Sequence, residues 1–344
     1  MIPIIAVTTG DPLGIGPEIT LKALRDEKVR KACRTVVIGE ETSLFKSSPH
    51  LLRQGAGMAF LPVYCEEKPR FSGPRGPDRA AGMASLRAVR LALRLALEKR
   101  VDAVVTAPVC KESWTLAGAG FTGHTGLLKA MSGRRNAAML FVSGNIRAAL
   151  VTEHLPVKNL PSALTKGKTA AVCRTFCSAL RLLGIDRPRL ALCSLNPHAG
   201  EGGILGKEEI RVLTPAVSRL RKGGLKIEGP LSPDAVWSGH LKGRWDGVVG
   251  IYHDQVLVPV KLIAKNPVVH WTHGLGFIRT SPAHGTAFDI AGKNKADPSS
   301  MIEAMLFAAR LVRKQQEARS QRQEARGKKQ EVRIQKSGER QNNT

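Results

Sequence analysis

Three histidines in this sequence each come just after a short apolar run: His154, His198 and His253. Such runs are typical of buried strands in open parallel sheets, which bind ligands beyond the carboxyl ends of their strands. Neutral imidazole suits zinc, cobalt and nickel, so the three histidines together predict a divalent-metal site with one coordination position open for substrate. Any one of them alone would be better explained as a loop residue bonded to nearby backbone. No two have the four-residue spacing of a metalloprotease helix.

Four more polar residues are suited to an anionic ligand. His124 and Thr125 end the glycine-rich stretch 118–125, which we expect to be a flexible turn, and both can hydrogen-bond to a phosphate or a hydroxyl. Lys261 and Arg279 are the cations nearest the histidine loops. A bidentate guanidinium with a lysine forms a clamp for a phosphate or a carboxylate.

A glycine-rich turn at 10–18 joins a predicted buried strand at 2–8 to a predicted helix at about 17–26. Its glycines match neither the dinucleotide-binding fingerprint nor a P-loop. Free N–H groups in such a turn can bind a phosphate or a pyrophosphate. A tight turn needed only for packing the helix on the sheet explains the glycines equally well.

The elements that must position these residues alternate between strands and helices, which favours an α/β fold. Buried strands are predicted at 35–39, 58–62, 101–106, 190–195 and 246–252, and a hairpin at 137–152 with its turn at 143–145. Helices are predicted at 80–100, 168–184, 207–222 and from about 299, with a surface loop at 68–78.

The chain of 344 residues is long enough for two domains, and its formal net charge is +25. A basic surface suits anionic ligands or the steering of phosphorylated substrates, and a lineage bias toward lysine and arginine explains it equally well. The six cysteines include no Cys-x-x-Cys pair, which predicts reduced thiols in a cytoplasmic protein. We expect no signal peptide, because the sequence starts without a basic leader and goes directly into a predicted strand. We expect no membrane partner, because no apolar run approaches membrane-spanning length.

The basic tail, residues 314–344, contains a Gln-Glu-Ala-Arg-type repeat with a period of seven residues. Each repeat offers a single weakly apolar residue, so the tail lacks the two-position seam of a coiled coil. We expect a frayed helix or disorder there, with no role in catalysis.

Seven motifs follow one another along residues 2 to about 313. They are Gly-Asp-Pro-x-Gly-Ile-Gly-Pro-Glu at 10–18, Thr-Ala-Pro-x-x-Lys at 106–111, Phe-Thr-Gly-His-Thr at 121–125, Thr-x-His-Leu-Pro at 152–156, Leu-Asn-Pro-His-Ala-Gly-Glu-Gly-Gly at 195–203, Tyr-His-Asp-Gln at 252–255, and Ile-Arg-Thr-Ser at 278–281 with His-Gly-Thr-Ala at 284–287. In this order they make the chain resemble the 4-hydroxythreonine-4-phosphate dehydrogenases of vitamin B6 synthesis. An ordered set is far more specific than any single glycine pattern.

The resemblance implies a fold like that of the isocitrate and isopropylmalate dehydrogenases. Two α/β/α domains would flank a cleft, NAD (or NADP) would bind without a Rossmann fingerprint, and the enzyme would be a homodimer with its active site at the subunit interface. On this chain the first domain would comprise 1–118 with 276–313, and the second 119–275, followed by the tail.

The resemblance also implies roles for individual residues. A divalent metal (zinc, magnesium or cobalt) would be held by His154, His198 and His253, with ligands drawn from both subunits. The phosphorylated substrate would be held by His124, Thr125, Lys261 and Arg279. The loop 284–293, with His284, Gly285 and Asp289, would contact the adenosine part of NAD, and either Lys261 or Asp254 would carry the proton.

The implied reaction is NAD-linked oxidation of the substrate hydroxyl, followed by decarboxylation of the resulting β-keto acid. The chain departs from the family pattern at Gly126, His270 and Ala283, and in the run Asp-Gln-Val-Leu-Val-Pro at 254–259. These departures leave 4-phospho-D-threonate or 4-phospho-D-erythronate as alternative substrates. An inactive scaffold that binds nucleic acid is a remote alternative, because aromatic residues make up only 4% of the chain and the basic residues are scattered.

Overall fold

The computed structural model describes residues 1–47, 58–121 and 123–341. Within these ranges the strands are β1 Ile4–Thr8, β2 Arg34–Gly39, β3 Met58–Pro62, β4 Ala103–Thr106, β5 Ala138–Ser143, β6 Ile146–Leu150, β7 Arg189–Cys193, β8 Lys226–Leu231, β9 Gly247–Gly250, β10 Val269–His273 and β11 Ile278–Pro282. The α-helices are α1 Gly16–Arg25, α2 Glu27–Ala32, α3 Glu41–Ser47, α4 Arg79–Leu97, α5 Lys111–Leu116, α6 His124–Ser132, α7 Leu160–Ala163, α8 Lys166–Leu182, α9 Thr214–Lys222, α10 Pro233–Leu241, α11 His253–Ile263 and α12 Ser299–Gln341. The predicted α/β class is confirmed.

All of these strands belong to one sheet, in the order β3-β2-β1-β4-β11-β10-β5-β6-β9-β7-β8. The strands from β3 to β11 in that order are mutually parallel, as are the four from β6 to β8. Between these two groups, β10 is antiparallel to both of its neighbours, and β5 is antiparallel to β6. Since β6, β9 and β7 are adjacent and parallel, their carboxyl ends lie at one edge of the sheet.

Local sequence explains where the long helices begin and end. At the start of α4, the Asp78 carboxylate accepts the N–H of Ala81 at 2.7 Å, which satisfies a donor that the helix leaves free. At the start of α8, the Thr165 hydroxyl accepts the N–H of Lys168 in the same way. Gly184 ends that helix with a φ of +95°, a conformation that favours glycine.

The largest apolar cluster extends across both groups of strands. It includes Val7 of β1, Leu140 of β5 and Val249 of β9, and α12 contributes Phe307 and Leu311 to it. Burial of large apolar side chains such as these contributes about 1.5–3 kcal/mol each. One continuous core therefore joins the two ends of the sheet.

The predicted hairpin at 137–152 is confirmed, since β5 and β6 pair antiparallel with Ser143 opposite Ile146. The predicted turn at 118–125 is wrong at its end, because Gly123 precedes α6 with a φ of +145° and His124 is already helical. The predicted helix at 207–222 begins as a π-helix, Glu209–Leu213, and continues as α9.

The first part of α12 packs on the sheet, and the helix then continues through the basic tail to Gln341. The division of the chain at 118 and 275 into two domains stays a prediction, because the sheet is continuous across both points. Across 1–47, 58–121 and 123–341, every helix is too short or too polar to cross a membrane.

Candidate active site

A cleft of about 650 Å³ lies where the two groups of strands meet. It collects side chains from the ends of β4, β6 and β11, from β5 and β10, and from the first turns of α5, α6 and α11. The sequence-predicted residues that line it are His124, Thr125, His154, His253, Lys261, Arg279, His284 and Gly285.

Arg279 lies at the floor of the cleft and is 1% exposed. Its guanidinium donates to the hydroxyls of Thr106 at 2.5 Å and Thr272 at 3.1 Å. Among the described residues no carboxylate lies within ion-pair distance of it. Burial lowers the pKa of Arg279 to about 9, which still leaves it charged at neutral pH. A buried cation without an acid partner is costly, so this site favours an anionic ligand.

His270 extends the floor of the cleft beside Arg279. Its Nδ1 lies 3.3 Å from both Nη1 of Arg279 and the hydroxyl of Ser281, and its ring stacks on Phe141 at a centroid distance of 5.2 Å. Burial, followed by the charge of Arg279, lowers its pKa well below the usual range, so the ring is neutral. Its enclosed Nε2 has no hydrogen-bond partner in the part of the chain that the structure describes.

His124 and Thr125 occupy the first turn of α6 and line the same cleft. The ring of His124 meets Trp114 edge-on at 5.5 Å, and the Trp114 indole N–H is itself fixed by Ser85. Burial, and then the charge of Arg279, lowers the pKa of His124 well below its usual range. Within the described ranges its enclosed Nε2 also has no partner. Two unpartnered imidazole nitrogens thus lie near one buried guanidinium.

The charge that lines the cleft is strongly positive. Its cations are Lys111, Lys129, Lys168, Lys261 and Arg279. The described lining includes one carboxylate, that of Glu153, which pairs with Lys129 at 2.5 Å. The cleft therefore has a net positive charge even with every histidine neutral, which favours a doubly charged anion such as a phosphate monoester.

His154 and His253 lie together at the rim, with ring centroids 5.2 Å apart. Nδ1 of His253 is 2.6 Å from the Asp254 carboxylate, an interaction that fixes the ring and leaves Nε2 for a ligand. Partial burial, the charge of Lys111 and the proximity of His253 lower the pKa of His154. Two imidazoles close together at a cleft are suited to a divalent cation.

His198 follows β7, at the same edge of the sheet, but it is exposed and is not among the described residues that line the cleft. Nowhere in the described chain do three metal-binding side chains come together. His198 begins a left-handed turn in which residues 198–202 all have φ between 42° and 81°. The left-handed conformation costs roughly 1–2 kcal/mol for each residue other than glycine.

Two residues that sequence reasoning missed connect the histidine loops. Gln255 accepts the N–H of Ile251 at 2.6 Å and donates to the carbonyl of Ser194 at 2.7 Å, so it ties the end of β9 to the end of β7. Glu209 is buried and accepts three N–H groups from Leu195 and Asn196. The Tyr-His-Asp-Gln motif contains Gln255, whereas no spacing signal singled out Glu209.

The predicted cofactor residues lie in the segment 283–296, beside the amino-terminal turn. The carbonyl of Thr286 accepts the N–H of Ile15 at 2.9 Å, and a Cβ on Gly14 would lie 2.9 Å from that same carbonyl oxygen. His284 and Gly285 line the outer end of the cleft, whereas Asp289 is exposed and lies outside its described lining. The glycine at 14 thus serves close packing between the two segments.

The amino-terminal turn also buries a carboxylate. Asp11 is fully buried, one of its oxygens accepts the N–H of Leu13 at 3.0 Å, and the other has no partner within the described ranges. Burial raises the pKa of Asp11 to about 6. The adjacent Gly10 has a φ of +74° and no room for a Cβ, which would lie 2.2 Å from the carbonyl oxygen of Pro108.

Comparison with known proteins follows the same motifs. The family described as pyridoxal phosphate biosynthetic protein PdxA matches residues 31–308. A 4-hydroxythreonine-4-phosphate dehydrogenase of Geobacter metallireducens is 36% identical over 328 residues, which are 90% of this chain and 96% of that protein. A provisionally named D-threonate 4-phosphate dehydrogenase of Bradyrhizobium diazoefficiens is 37% identical over 333 residues, 89% of this chain and 96% of that one.

Among solved structures, the 4-hydroxythreonine-4-phosphate dehydrogenase of Klebsiella pneumoniae superposes with a TM-score of 0.78 at 35% sequence identity. The superposition covers 91% of this chain and 98% of that one. The likeness therefore extends over the sheet and the cleft together.

Proposed function

Since this chain belongs to the PdxA family of pyridoxal phosphate biosynthetic proteins, we propose that it oxidises 4-phosphohydroxy-L-threonine with NAD. The product, 2-amino-3-oxo-4-phosphooxybutanoate, loses CO2 to give 3-amino-2-oxopropyl phosphate on the route to pyridoxal 5'-phosphate. The observation that carries this proposal is Arg279, a buried cation with no acid partner among the described residues, at the floor of a cleft whose rim carries two imidazoles.

In this proposal the substrate phosphate is held by Arg279, Lys261, His124 and Thr125. A guanidinium and an ammonium supply charge-assisted hydrogen bonds, which are about twice as strong as neutral ones. The neutral His124 can donate a further hydrogen bond from its enclosed Nε2. A phosphate monoester would thus satisfy polar atoms that the described protein groups leave without partners.

The donor set at the rim fits a divalent metal, because His154 and His253 present imidazoles 5.2 Å apart and His198 follows the neighbouring strand. Bound to these residues, the metal would supply a Lewis acid that lowers the pKa of the substrate hydroxyl. Asp254 would orient His253 through its hydrogen bond at 2.6 Å. With that carboxylate engaged, we assign proton transfer to Nζ of Lys261.

A homodimer would explain why His198 lies outside the cleft of its own chain. Exposed apolar side chains accompany each histidine loop, and such patches mark interaction surfaces. They are Leu155 and Val157 after His154, Ile204 and Leu205 after His198, and Val258 and Leu262 on the helix that begins at His253. We infer that the second subunit covers these residues and that the two chains complete each metal site together.

NAD would supply the hydride acceptor at the outer end of the cleft. The segment with His284, Gly285 and Asp289 is held in place from α1, since Lys22 donates to the carbonyls of Asn294 and Ala296 at 3.1 and 2.8 Å. A rigid segment of this kind can position the adenosine moiety without a Rossmann fingerprint. All six thiols are free, which supports a reducing compartment, the cytoplasm.

A second candidate substrate, 4-phospho-D-threonate, is favoured by the charge of the cleft. Its hydroxyl replaces the ammonium of 4-phosphohydroxy-L-threonine, and the described lining offers no carboxylate free of a lysine to receive an ammonium. The Bradyrhizobium relative carries the name of this activity. The related 4-phospho-D-erythronate also lacks an ammonium group, so the same argument applies to it.

The test is NADH formation by the metal-reconstituted protein with each of the three phosphorylated substrates, at equal concentration. Preference for 4-phosphohydroxy-L-threonine would support the proposal, and preference for either of the other two would transfer it to that substrate. His154→Ala is the control that should abolish turnover while leaving the fold intact. A wild-type protein that binds metal yet oxidises none of the three would refute the proposed substrate class.

A further inference from the structure

We propose that Glu209 is a positioning residue that holds the left-handed turn at 198–202 and so directs His198 to the metal. The inference rests on the proposed function in one respect only, the role of His198 as a metal ligand. The part that concerns the turn itself depends on contacts within this chain.

The Glu209 carboxylate accepts three N–H groups from the chain segment that leads into the turn. One oxygen accepts the backbone N–H groups of Leu195 and Asn196 at 2.8 and 2.9 Å. The other accepts the Asn196 side-chain amide at 2.8 Å. The side chain of Glu209 is 3% exposed, and no ion pair joins it to a described cation. These donors are therefore what compensates its buried charge.

The turn closes directly over this carboxylate. At Gly200, where φ is +81°, a Cβ would lie 2.8 Å from the Oε2 atom of Glu209. Gly206, where φ is +142°, lies still closer to Asn196, because its Cβ would be 2.3 Å from Nδ2. Glycine at both positions lets the backbone approach Glu209 and Asn196. The backbone of the left-handed turn therefore packs directly against the Glu209 carboxylate.

The chemistry of the three donors requires a carboxylate. All three partners are N–H groups, so both oxygens must act as acceptors. In Glu209→Gln one acceptor becomes an NH2 group that faces the Asn196 amide, and a donor then opposes a donor. We expect Asn196 to shift and the turn to lose its fixed conformation.

Glu208 provides a matched control one residue earlier. Its carboxylate also accepts the Asn196 amide, at 2.7 Å, but it receives neither backbone N–H group of the segment that leads to His198. It is only partly buried. Glu208→Gln therefore removes the same charge from the same segment while leaving the support of the turn in place.

The experiment measures Co²⁺ affinity by equilibrium dialysis and backbone hydrogen exchange of residues 195–206, in full-length wild type, Glu209→Gln, Glu208→Gln and His198→Ala. We expect Glu209→Gln to weaken metal binding about 10- to 100-fold, as loss of an outer-shell partner does, and to accelerate exchange in this segment. Glu208→Gln should resemble wild type in both measurements. If Glu209→Gln fails to fold, Gly200→Ala tests the same contact from the other side and should act in the same direction.

The outcomes separate the two proposals. Weakened binding in His198→Ala with unchanged binding in Glu209→Gln would overturn the role of Glu209 and leave the metal site standing. Unchanged binding in His198→Ala would refute His198 as a ligand, and the exchange measurement alone would then decide whether Glu209 holds the turn. Equal exchange in the two glutamate variants would overturn the inference in every case.

Discussion

Nη1 of Arg279 lies 3.3 Å from Nδ1 of His270, on adjacent antiparallel strands. A guanidinium can only donate, so this contact assigns the lone pair of the imidazole to Nδ1 and its proton to Nε2. The neutral His270 ring can therefore only donate a hydrogen bond at Nε2, and a ligand atom that contacts Nε2 must be an acceptor.

The first prediction concerns substrate choice at His270. We expect His270→Asn to raise kcat/KM for 4-phosphohydroxy-L-threonine relative to 4-phospho-D-threonate by about tenfold, the equivalent of one hydrogen bond of about 1.4 kcal/mol. An amide carries an acceptor oxygen as well as donors, so it can receive the ammonium that the imidazole cannot. Competition between the two substrates, followed as NADH formation, measures the ratio.

A matched control lies on the same strand. His273 is a half-buried histidine at the far end of β10, and its Nε2 lies 2.9 Å from the hydroxyl of Ser178, outside the cleft. His273→Asn should leave the ratio of the two substrates unchanged. A shift of equal size in both variants would show that the effect comes from β10 as a whole.

Arg279→Met removes the buried cation while keeping similar volume. We expect KM for the phosphorylated substrate to rise about 10- to 100-fold, since hydrogen bonds to charged groups contribute about 1.5–3 kcal/mol. Inorganic phosphate should raise the Tm of the wild type, because a ligand that binds the folded state stabilises it, and should leave the variant unaffected. An equal phosphate-induced Tm shift in both proteins would place the anion elsewhere.

The raised pKa of Asp11 makes the free energy of unfolding depend on pH. Burial raises its pKa from 3.8 to about 6, so the folded state holds a proton that the unfolded chain releases between these values. The contribution of Asp11 to the free energy of unfolding is therefore most favourable below about pH 4. This contribution is lost as the pH rises through about 6. Two pKa units correspond to roughly 3 kcal/mol at most.

Asp11→Asn removes this dependence. The variant should gain stability relative to wild type at pH 8 and should lose most of that gain at pH 4.5. Urea denaturation of both proteins at the two pH values measures the difference in the free energy of unfolding. A difference that stays constant with pH would show that Asp11 does not titrate between them.

The tail provides a prediction about chain length. Deletion of residues 314–344 leaves the buried Leu311 and Val312 in place, so kcat should stay within about twofold of wild type. A deletion that begins at residue 306 also removes Phe307 from the core and should abolish cooperative unfolding, as followed by circular dichroism. A large loss of kcat in the shorter deletion would give the tail a role in catalysis.

The histidine strands show what sequence could predict. An apolar run before each histidine indicated a strand end, and the adjacency of β6, β9 and β7 places those ends at one edge of the sheet. The position of His198 outside the cleft could not be predicted, because His198 lies in a left-handed turn that no local sequence pattern indicated. The residue types indicated all three candidate ligands. Only the backbone conformation distinguishes His198 from His154 and His253.

The contact between His270 and Arg279 escaped prediction for a different reason. It depends on the register in which Thr272 faces Arg279 and His270 faces Ser281, within an antiparallel pair inserted into an otherwise largely parallel sheet. A slip of β10 by one residue would turn His270 to the face of the sheet opposite Arg279. Local patterns do not encode such a register, although they did predict the β5–β6 hairpin from its turn.

The continuous sheet has a mechanical consequence. β10 and β11 are hydrogen-bonded to each other and to the strands on either side, so paired strands connect the two walls of the cleft. A change in the width of the cleft would therefore require the central strands to twist or bend. The protein would then adjust to a bound ligand by small changes spread over many backbone torsion angles. A displacement of one wall of the cleft would be transmitted through the sheet to the other wall.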